Sequence, residues 1–232
     1  MHTSLRRVVL MVVALVASSL SLVAVSTSSA QAATSTFSQL GANYASVRYG
    51  TTVTFTGRVG YTNNGNPTYV PQGTVTLQRL PAGGSTWLTV SSRPIVPNAD
   101  QTWTYKPAGT STYRLLYSDG SGTYGSSASP SVKVGVRRNL NDNWRSATRT
   151  FYGKVAPKYA GKPVIIQKST CRYPASSSCS WSAYRVINTN AYSNWSLKLP
   201  AYRTKTHFRA YVRPSSGYLG SLSNYYVTTY RY

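Results

Sequence analysis

Two stretches of this sequence are near copies of each other. Residues 54–59 (TFTGRV) return as residues 150–155 (TFYGKV), and four further segments recur in the same order, at offsets of 89 to 96 residues. The aligned pairs include Gln78 with Gln167, Trp87 with Trp181, Trp103 with Trp195, and Arg114 with Arg209. Repetition at this spacing indicates two tandem copies of one structural unit. The recurring positions are apolar residues, turn residues and cations, so the repeat predicts architecture more than activity.

Each copy has the alternation typical of short, half-buried strands. Stretches rich in Val, Thr and Tyr with a period of two are separated by clusters of Gly, Pro, Ser and Asn, and helical periodicity is absent. The predicted strands are residues 46–49, 51–59, 73–80, 87–92, 102–106, 112–117 and 130–136 in the first copy, and 148–155, 163–170, 181–187, 194–198, 206–212 and 224–230 in the second. This set predicts an all-β protein of two β-sandwiches, with Trp103 and Trp195 in their cores. The segment 61–70, rich in Asn and Gly, is predicted to be an exposed loop outside the sheet.

The chain starts with a predicted secretory signal peptide. Arg6 and Arg7 precede an apolar stretch over residues 8–25, and Ala30-Gln31-Ala32 is a small-x-small cleavage site. A membrane anchor would need roughly 20 uninterrupted apolar residues, whereas serines interrupt this stretch. We therefore expect a signal peptide at 1–32, a first domain at 33–138 and a second at 139–232. Each domain is large enough to bury its own core, and the mature protein is expected to be secreted.

The charge of the chain is strongly one-sided. It has 25 Lys and Arg residues, three acids (Asp100, Asp119 and Asp142) and no Glu, for a formal net charge of +22. Removal of Arg6 and Arg7 with the signal peptide would leave +20. Such a surface attracts polyanions.

Two cysteines, Cys171 and Cys179, are separated by seven residues. In an exported chain this spacing predicts a disulfide that closes a hairpin loop. A ring of about 9 residues suggests a stabilisation on the order of 2.5 kcal/mol. A redox pair or a metal site would need a C-x-x-C spacing or further ligands, and His207 is the only histidine after the signal peptide. No metal or cofactor site is predicted.

The reactive side chains do not form a recognisable catalytic set. Hydrolysis by carboxylates needs two acids facing one bond, but Asp100 and Asp119 both lie in predicted turns, and Asp119-Gly120 is a typical turn dipeptide. His207 precedes Phe208 within a predicted strand, where a surface or hydrogen-bonded histidine is the simpler interpretation than a triad member. The sequence therefore predicts a protein that is not an enzyme.

Cations interleaved with aromatic residues are the strongest sign of a binding function. Strand periodicity places Lys205, His207, Arg209, Tyr211 and Arg213 on one face, where cations would meet phosphates or carboxylates while tyrosines stack on sugars or bases. The alternative is that this row is only the solvated side of a strand whose core face is Phe208, Ala210 and Val212. The predicted polyanion-binding residues are Arg79, Lys168, Arg185, Lys198, Lys205, Arg209 and Arg213.

Several motifs point to a known family. They are Tyr-Gly-x-x-Val at 49–53, Gly-x-Val-x-Leu-Gln-Arg at 73–79, Tyr-Arg at 113–114 and Tyr-Gly-x-Ser-x-Ser at 124–129. Over nearly all of the mature chain the pattern resembles the bacterial Ig-like repeats of secreted actinobacterial proteins. The resemblance implies two immunoglobulin-like sandwiches that act as adhesive, spacer or binding modules, and it implies no catalytic residues. Many Ig-like modules hold calcium with acidic loops, but three scattered aspartates do not supply the six to eight oxygens that this ion prefers.

Three functions are compatible with the sequence. The first is a non-enzymatic module that binds an anionic polymer outside the cell: teichoic or teichuronic acid, acidic polysaccharide or extracellular nucleic acid. The second is a structural or adhesive protein whose ligand is another protein, and whose charge retains it at the cell wall. The third is a hydrolase or inhibitor that uses an unrecognised loop. A continuous basic surface favours the first function, and an even scatter of cations favours the second.

Overall fold

The computed structural model describes residues 32–215 and 217–229. Apart from Ala32, the predicted signal peptide lies outside the described residues. Within the described part of the chain the regular elements are seventeen β-strands, and it contains no helix long and apolar enough to cross a membrane. The first ten strands are β1 (Thr36–Ala42), β2 (Ser46–Arg48), β3 (Val53–Asn63), β4 (Asn66–Tyr69), β5 (Thr74–Pro81), β6 (Leu88–Pro94), β7 (Gln101–Tyr105), β8 (Ser111–Ser118), β9 (Ser127–Ala128) and β10 (Val132–Arg137). The others are β11 (Asn143–Arg145), β12 (Thr150–Lys154), β13 (Pro163–Ser169), β14 (Ser182–Asn188), β15 (Asn194–Lys198), β16 (Thr206–Val212) and β17 (Ser221–Thr228).

The first ten strands form two sheets that enclose one core. In one sheet β3 pairs with β1 on one side and with β4 and β7 on the other. The other sheet has the order β2-β10-β8-β5-β6, with β2 parallel to β10. Val53, Phe55, Leu77, Tyr113 and Leu115 are buried between the two sheets. This strand order is that of an immunoglobulin-like sandwich.

The last seven strands repeat the arrangement with fewer strands. One sheet has the order β11-β12-β15 and the other the order β14-β13-β16-β17. Phe151, Val164, Ile166, Trp195 and Phe208 are buried in a second, separate core. The prediction of an all-β fold with two tandem immunoglobulin-like sandwiches is thus confirmed.

The repeated TFxG segment builds the same contact in both sandwiches. Phe55 and Phe151 are fully buried in their cores. Two residues later, Gly57 and Gly153 lie against the indole rings of Trp103 and Trp195, and a Cβ atom on Gly153 would be 2.8 Å from Trp195. The glycine therefore makes room for the tryptophan, which explains why these residues recur together.

The prediction of an unpaired loop at 61–70 is wrong. β3 continues to Asn63 and turns back into β4, with Asn63 opposite Asn66. The turn residues Asn64 and Gly65 have φ values of 49° and 81°, the left-handed conformation that two-residue hairpin turns require. The Asn-Gly pair was a hairpin signal, and Pro67 is tolerated because β4 is an edge strand. Strands β1, β4, β9 and β11 were not predicted.

The loop after β16 joins the two sandwiches. The amide of Thr110 donates to the carbonyl of Gly217 at 2.8 Å, and the amide of Leu219 donates to Val136 at the same distance. The guanidinium of Arg138, a residue only 7% exposed, lies 3.9 Å from the ring centroid of Tyr218 and 4.8 Å from that of Tyr159. Burial lowers the pKa of this guanidinium. A buried cation between two rings therefore marks the junction.

Candidate functional site

The three acids each have a local structural role. Asp100 accepts hydrogen bonds from Arg58 at 2.8 Å and from the Tyr69 hydroxyl at 3.0 Å, and the bond from Arg58 lowers its pKa. Asp119 accepts bonds from Ser121 and from the Tyr124 amide, which lower its pKa to about 2. Neither carboxyl has the raised pKa that a general acid needs. Within residues 32–215 and 217–229 no group of three His, Cys, Asp or Glu side chains is arranged to hold a metal ion.

The cations, in contrast, are almost entirely without acidic partners. Within the described part of the chain the third acid, Asp142, is not paired with a cation: it accepts hydrogen bonds from the Tyr226 hydroxyl at 3.0 Å and from the backbone amide of Asn224 at 3.2 Å. Among the described residues the one ion pair joins Arg58 to Asp100. The other described Lys and Arg side chains therefore present their charge without a neutralising carboxylate.

The predicted cation row on β16 is only partly present. Phe208, Ala210 and Val212 form the core face, as predicted. The prediction that the outer row is exposed is wrong at its centre. His207 is 4% exposed and packs edge-on against Tyr225, with ring centroids 5.7 Å apart. At this position neighbouring side chains cover the outer face of the sheet, which sequence periodicity does not reveal. Burial and the charge of Lys205 lower the pKa of His207.

Arg209 is also engaged rather than free. Its Nε donates to the Gln167 side chain at 2.8 Å, and its guanidinium lies 4.1 Å from the ring centroid of Trp181. The first sandwich repeats this arrangement, for Arg114 donates to Gln78 at 3.0 Å and lies 4.1 Å from the Trp87 centroid. The alignment of the two copies pairs these residues one by one, but only cross-strand register shows that they touch.

The remaining predicted cations are dispersed. Arg79 and Lys168 belong to the inward-facing rows of their strands, beside buried core residues. Arg185 is exposed on β14, and Lys198 is exposed on β15 in the opposite sheet. Lys205 and Arg213 are exposed beyond the two ends of β16. The seven residues therefore do not form one continuous surface, and this scatter, taken alone, favours retention by charge over a dedicated polymer site.

A basic face that the sequence did not predict covers the sheet β11-β12-β15. Alternation places Trp195 and Phe151 inward and turns Arg145, Tyr152, Lys154 and Lys198 outward. We call these four outward residues the basic face. The Arg145 guanidinium lies 5.6 Å from the Tyr152 centroid, and a depression of about 460 Å³ lies over the sheet between Arg145 and Lys154. The sequence did not reveal this face because strand β11 was not predicted from it. In the structure Arg145 on β11 and Lys198 on β15 lie on either side of Thr150 of β12.

A larger concavity, the end cleft, lies at one end of the second sandwich. It has a volume of about 850 Å³, and its lining includes Lys168, Cys171, Trp181, Tyr202 and Arg203. The Lys168 ammonium is 5.8 Å from the centroid of Tyr184 and 5.6 Å from that of Tyr202. Of the predicted binding residues, only Lys168 lines this cleft.

The predicted disulfide is not present in the structure. Cys171 and Cys179 are free. Their side chains are 2.7 Å apart, whereas the sulfur–sulfur bond of a disulfide is about 2.05 Å long. The Cys179 sulfur is 3.1 Å from the Ser169 hydroxyl. The hairpin loop nevertheless brings the two cysteines side by side, so pairing on oxidation stays a prediction.

If the chain is exported, as its N-terminus predicts, we expect this pair to be oxidised, because the two side chains are already adjacent and exported thiols meet an oxidising environment. Alkylation in denaturant, which exposes the buried Cys179, followed by intact-mass measurement should then label neither cysteine, whereas reduction before alkylation should label both. A Cys171→Ser variant provides the control, since its single thiol should be labelled without reduction. Labelling of both cysteines in unreduced, secreted protein would contradict the prediction.

Comparison with known proteins gives structural similarities at low identity. No protein family and no curated protein matches the sequence. Among solved structures, the ligand-binding domain of human OSCAR is similar over 84% of this chain and 98% of its own, with 15% identity and a TM-score of 0.32. The fibronectin(III)-like modules of CbhA from Clostridium thermocellum are similar over 82% of this chain and 92% of theirs, with 10% identity and a TM-score of 0.28.

Proposed function

We propose that this is a secreted, non-enzymatic, tandem Ig-like protein of bacterial type that binds anionic polymers of the cell envelope or extracellular matrix. The observation that carries the proposal is the absence of acidic partners around the described cations, of which only Arg58 forms an ion pair. Surfaces built for solubility alone mix charges of both signs. A surface with this bias attracts polyanions over long distances.

The basic face is the best-supported contact region for such a polymer. Arg145, Lys154 and Lys198 are exposed on three adjacent strands, and Tyr152 lies among them. The register places Arg145 and Lys198 on either side of Thr150, about 10 Å apart at the usual strand spacing, and Lys154 lies four residues further along β12. The cations are therefore spread over the face, where a long anionic chain can meet more than one of them.

The salt dependence of binding tests this proposal. Each phosphate that a cation neutralises releases a counterion. The logarithm of the binding constant therefore falls with the logarithm of the salt concentration, with a slope of about −0.9 per phosphate on duplex DNA and about −0.7 on single strands. We expect the combined variant Arg145→Glu, Lys154→Glu and Lys198→Glu to elute at much lower salt than wild type from immobilised polygalacturonate, duplex DNA and purified cell walls. The magnitude of this slope should be smaller by about 2 to 3 in the variant, because three cations are lost.

A control with the same change of net charge separates a local surface from general attraction. Arg48, Lys106 and Lys133 are exposed in the first sandwich, so their triple Glu variant should keep most of the slope. Reversal of Arg209 is unsuitable, because that guanidinium supports Trp181 and Gln167. If wild-type retention did not change between low and high salt, the polyanion proposal would be wrong.

A specific observation favours a second function, adhesion to a protein partner. Four apolar side chains are exposed on the outer face of the sheet β14-β13-β16-β17. They are Val186 (58%), Leu222 (42%), Tyr225 (46%) and Val227 (42%). Apolar contacts of this kind survive high salt, so retention on cell walls that is insensitive to salt but lost in a Val186→Asp, Leu222→Asp variant would favour the adhesive function.

A further inference from the structure

We propose that the end cleft binds a sugar residue carrying a carboxylate or phosphate group, which makes acidic glycans the preferred polymer of this protein. The inference deepens the proposed function and rests on it. It assigns a specific subsite to the second sandwich, distinct from the basic face, and it follows from the cations, rings and hydroxyls that line the cleft.

The cations of the end cleft are suited to a single anionic group. Lys168 and Arg203 both line the cleft, and its lining contains no Asp or Glu. The Lys168 ammonium is held near the rings of Tyr184 and Tyr202, at 5.8 and 5.6 Å from their centroids. Ring contacts position the ammonium but do not neutralise its charge, so the amine stays available to an anion.

The aromatic walls are held in place before any ligand binds. Trp181 lies under the guanidinium of Arg209, which is fixed in turn by its bond to Gln167. Tyr202 stacks on the buried Phe208, with centroids 6.2 Å apart and ring planes at 26°. Rigid aromatic side chains offer a large contact area at low entropic cost, which suits the apolar face of a pyranose ring.

The polar lining favours a sugar over a nucleobase. Six of the eleven lining residues are Ser or Thr, and their hydroxyls both donate and accept hydrogen bonds, as sugar hydroxyls do. None is Asn, Gln, Asp or Glu, which are the side chains that read the edges of adenine and cytosine. The volume of about 850 Å³ lies in the range of ligand pockets and leaves space for more than one ring.

The internal repeat supplies a matched control. Trp87 packs against Arg114 as Trp181 packs against Arg209, at the same 4.1 Å separation, and each arginine donates to a glutamine. It belongs to the first sandwich, and the end cleft is lined only by residues 168 to 206 of the second. Trp87→Leu and Trp181→Leu thus remove equivalent arginine–tryptophan contacts, but only Trp181→Leu also removes a wall of the end cleft.

The test is calorimetric titration of the mature chain at one fixed, moderate salt concentration. The probes are pentagalacturonate, a phosphomannan pentamer, neutral maltopentaose, a glycerol phosphate pentamer and an oligothymidylate of the same length. We expect one or both acidic sugars to bind more tightly than the other three probes. Trp181→Leu should weaken that binding about tenfold, a loss in the range of one aromatic contact, whereas Trp87→Leu should leave it unchanged.

Exposed Arg203 provides a second variant that does not touch the core. Arg203→Gln should weaken the acidic sugars severalfold and leave maltopentaose unaffected, and this holds even if Trp181→Leu fails to fold. Equal affinity for glycerol phosphate, tighter binding of oligothymidylate, or unchanged affinity in Arg203→Gln and a folded Trp181→Leu would overturn the sugar subsite. Each of these results leaves salt-dependent retention through the basic face intact, so the two proposals fail separately.

Discussion

Gly153→Ala should destabilise the second sandwich by about 3 kcal/mol, at the upper end of the cost of overpacking a core. A Cβ atom at this position would lie 2.7 Å from the Leu140 carbonyl oxygen and 2.8 Å from the Trp195 ring. One neighbour is backbone and the other is a rigid indole that is 3% exposed, so neither has room to move. The free energy of unfolding measured in urea checks this result.

The first sandwich provides the matched comparison, because Gly57 occupies the same place in the repeat. A Cβ atom there would be 2.7 Å from the end of the Leu115 side chain and 3.2 Å from Trp103. A leucine methyl group adjusts more readily than a carbonyl, so we expect Gly57→Ala to cost only about 1 kcal/mol. Equal stability of Gly153→Ala and wild type would show that the glycine is not needed to accommodate the tryptophan.

Arg138→Ala should lower the free energy of unfolding by about 2 to 3 kcal/mol and loosen the junction between the sandwiches. The guanidinium loses its ring contacts with Tyr159 and Tyr218 and the 3.1 Å bond that it donates to the Pro157 carbonyl. Cation–π contacts of a desolvated arginine are worth about 2 kcal/mol or more, and relief of the cost of burying the charge offsets part of the loss. Thermal unfolding followed by calorimetry should show an earlier and broader transition.

Arg138→Met separates charge from packing, since its unbranched side chain refills much of the same space. We expect it to recover about half of the stability lost in Arg138→Ala, because the apolar stem still packs between the two rings. Tyr218 packs against the first core although it belongs to the second copy, so both variants should affect both sandwiches. An unchanged transition in Arg138→Ala would mean that the junction does not couple them.

The sequence by itself determined the fold class and most of the strands. Period-two alternation assigns Phe208, Ala210 and Val212 to a core because side chains of a strand point alternately to its two faces. The prediction for this strand, residues 206–212, matches β16 (Thr206–Val212). The repeat identified Trp103 and Trp195 as core residues, because equivalent positions in two copies of one fold meet equivalent surroundings.

Only the tertiary structure decided which cations are free and which side chains meet. Register between strands far apart in sequence brings Arg209 to Gln167 and Trp181, and it places Arg145 near Lys198 on the basic face. Alternation assigns a residue to a face but does not say what covers that face, which is why His207 is buried on the outer side of its sheet. The contacts of Arg138 at the junction likewise depend on a loop that follows it by eighty residues, and local pattern carries no information about such a distant partner.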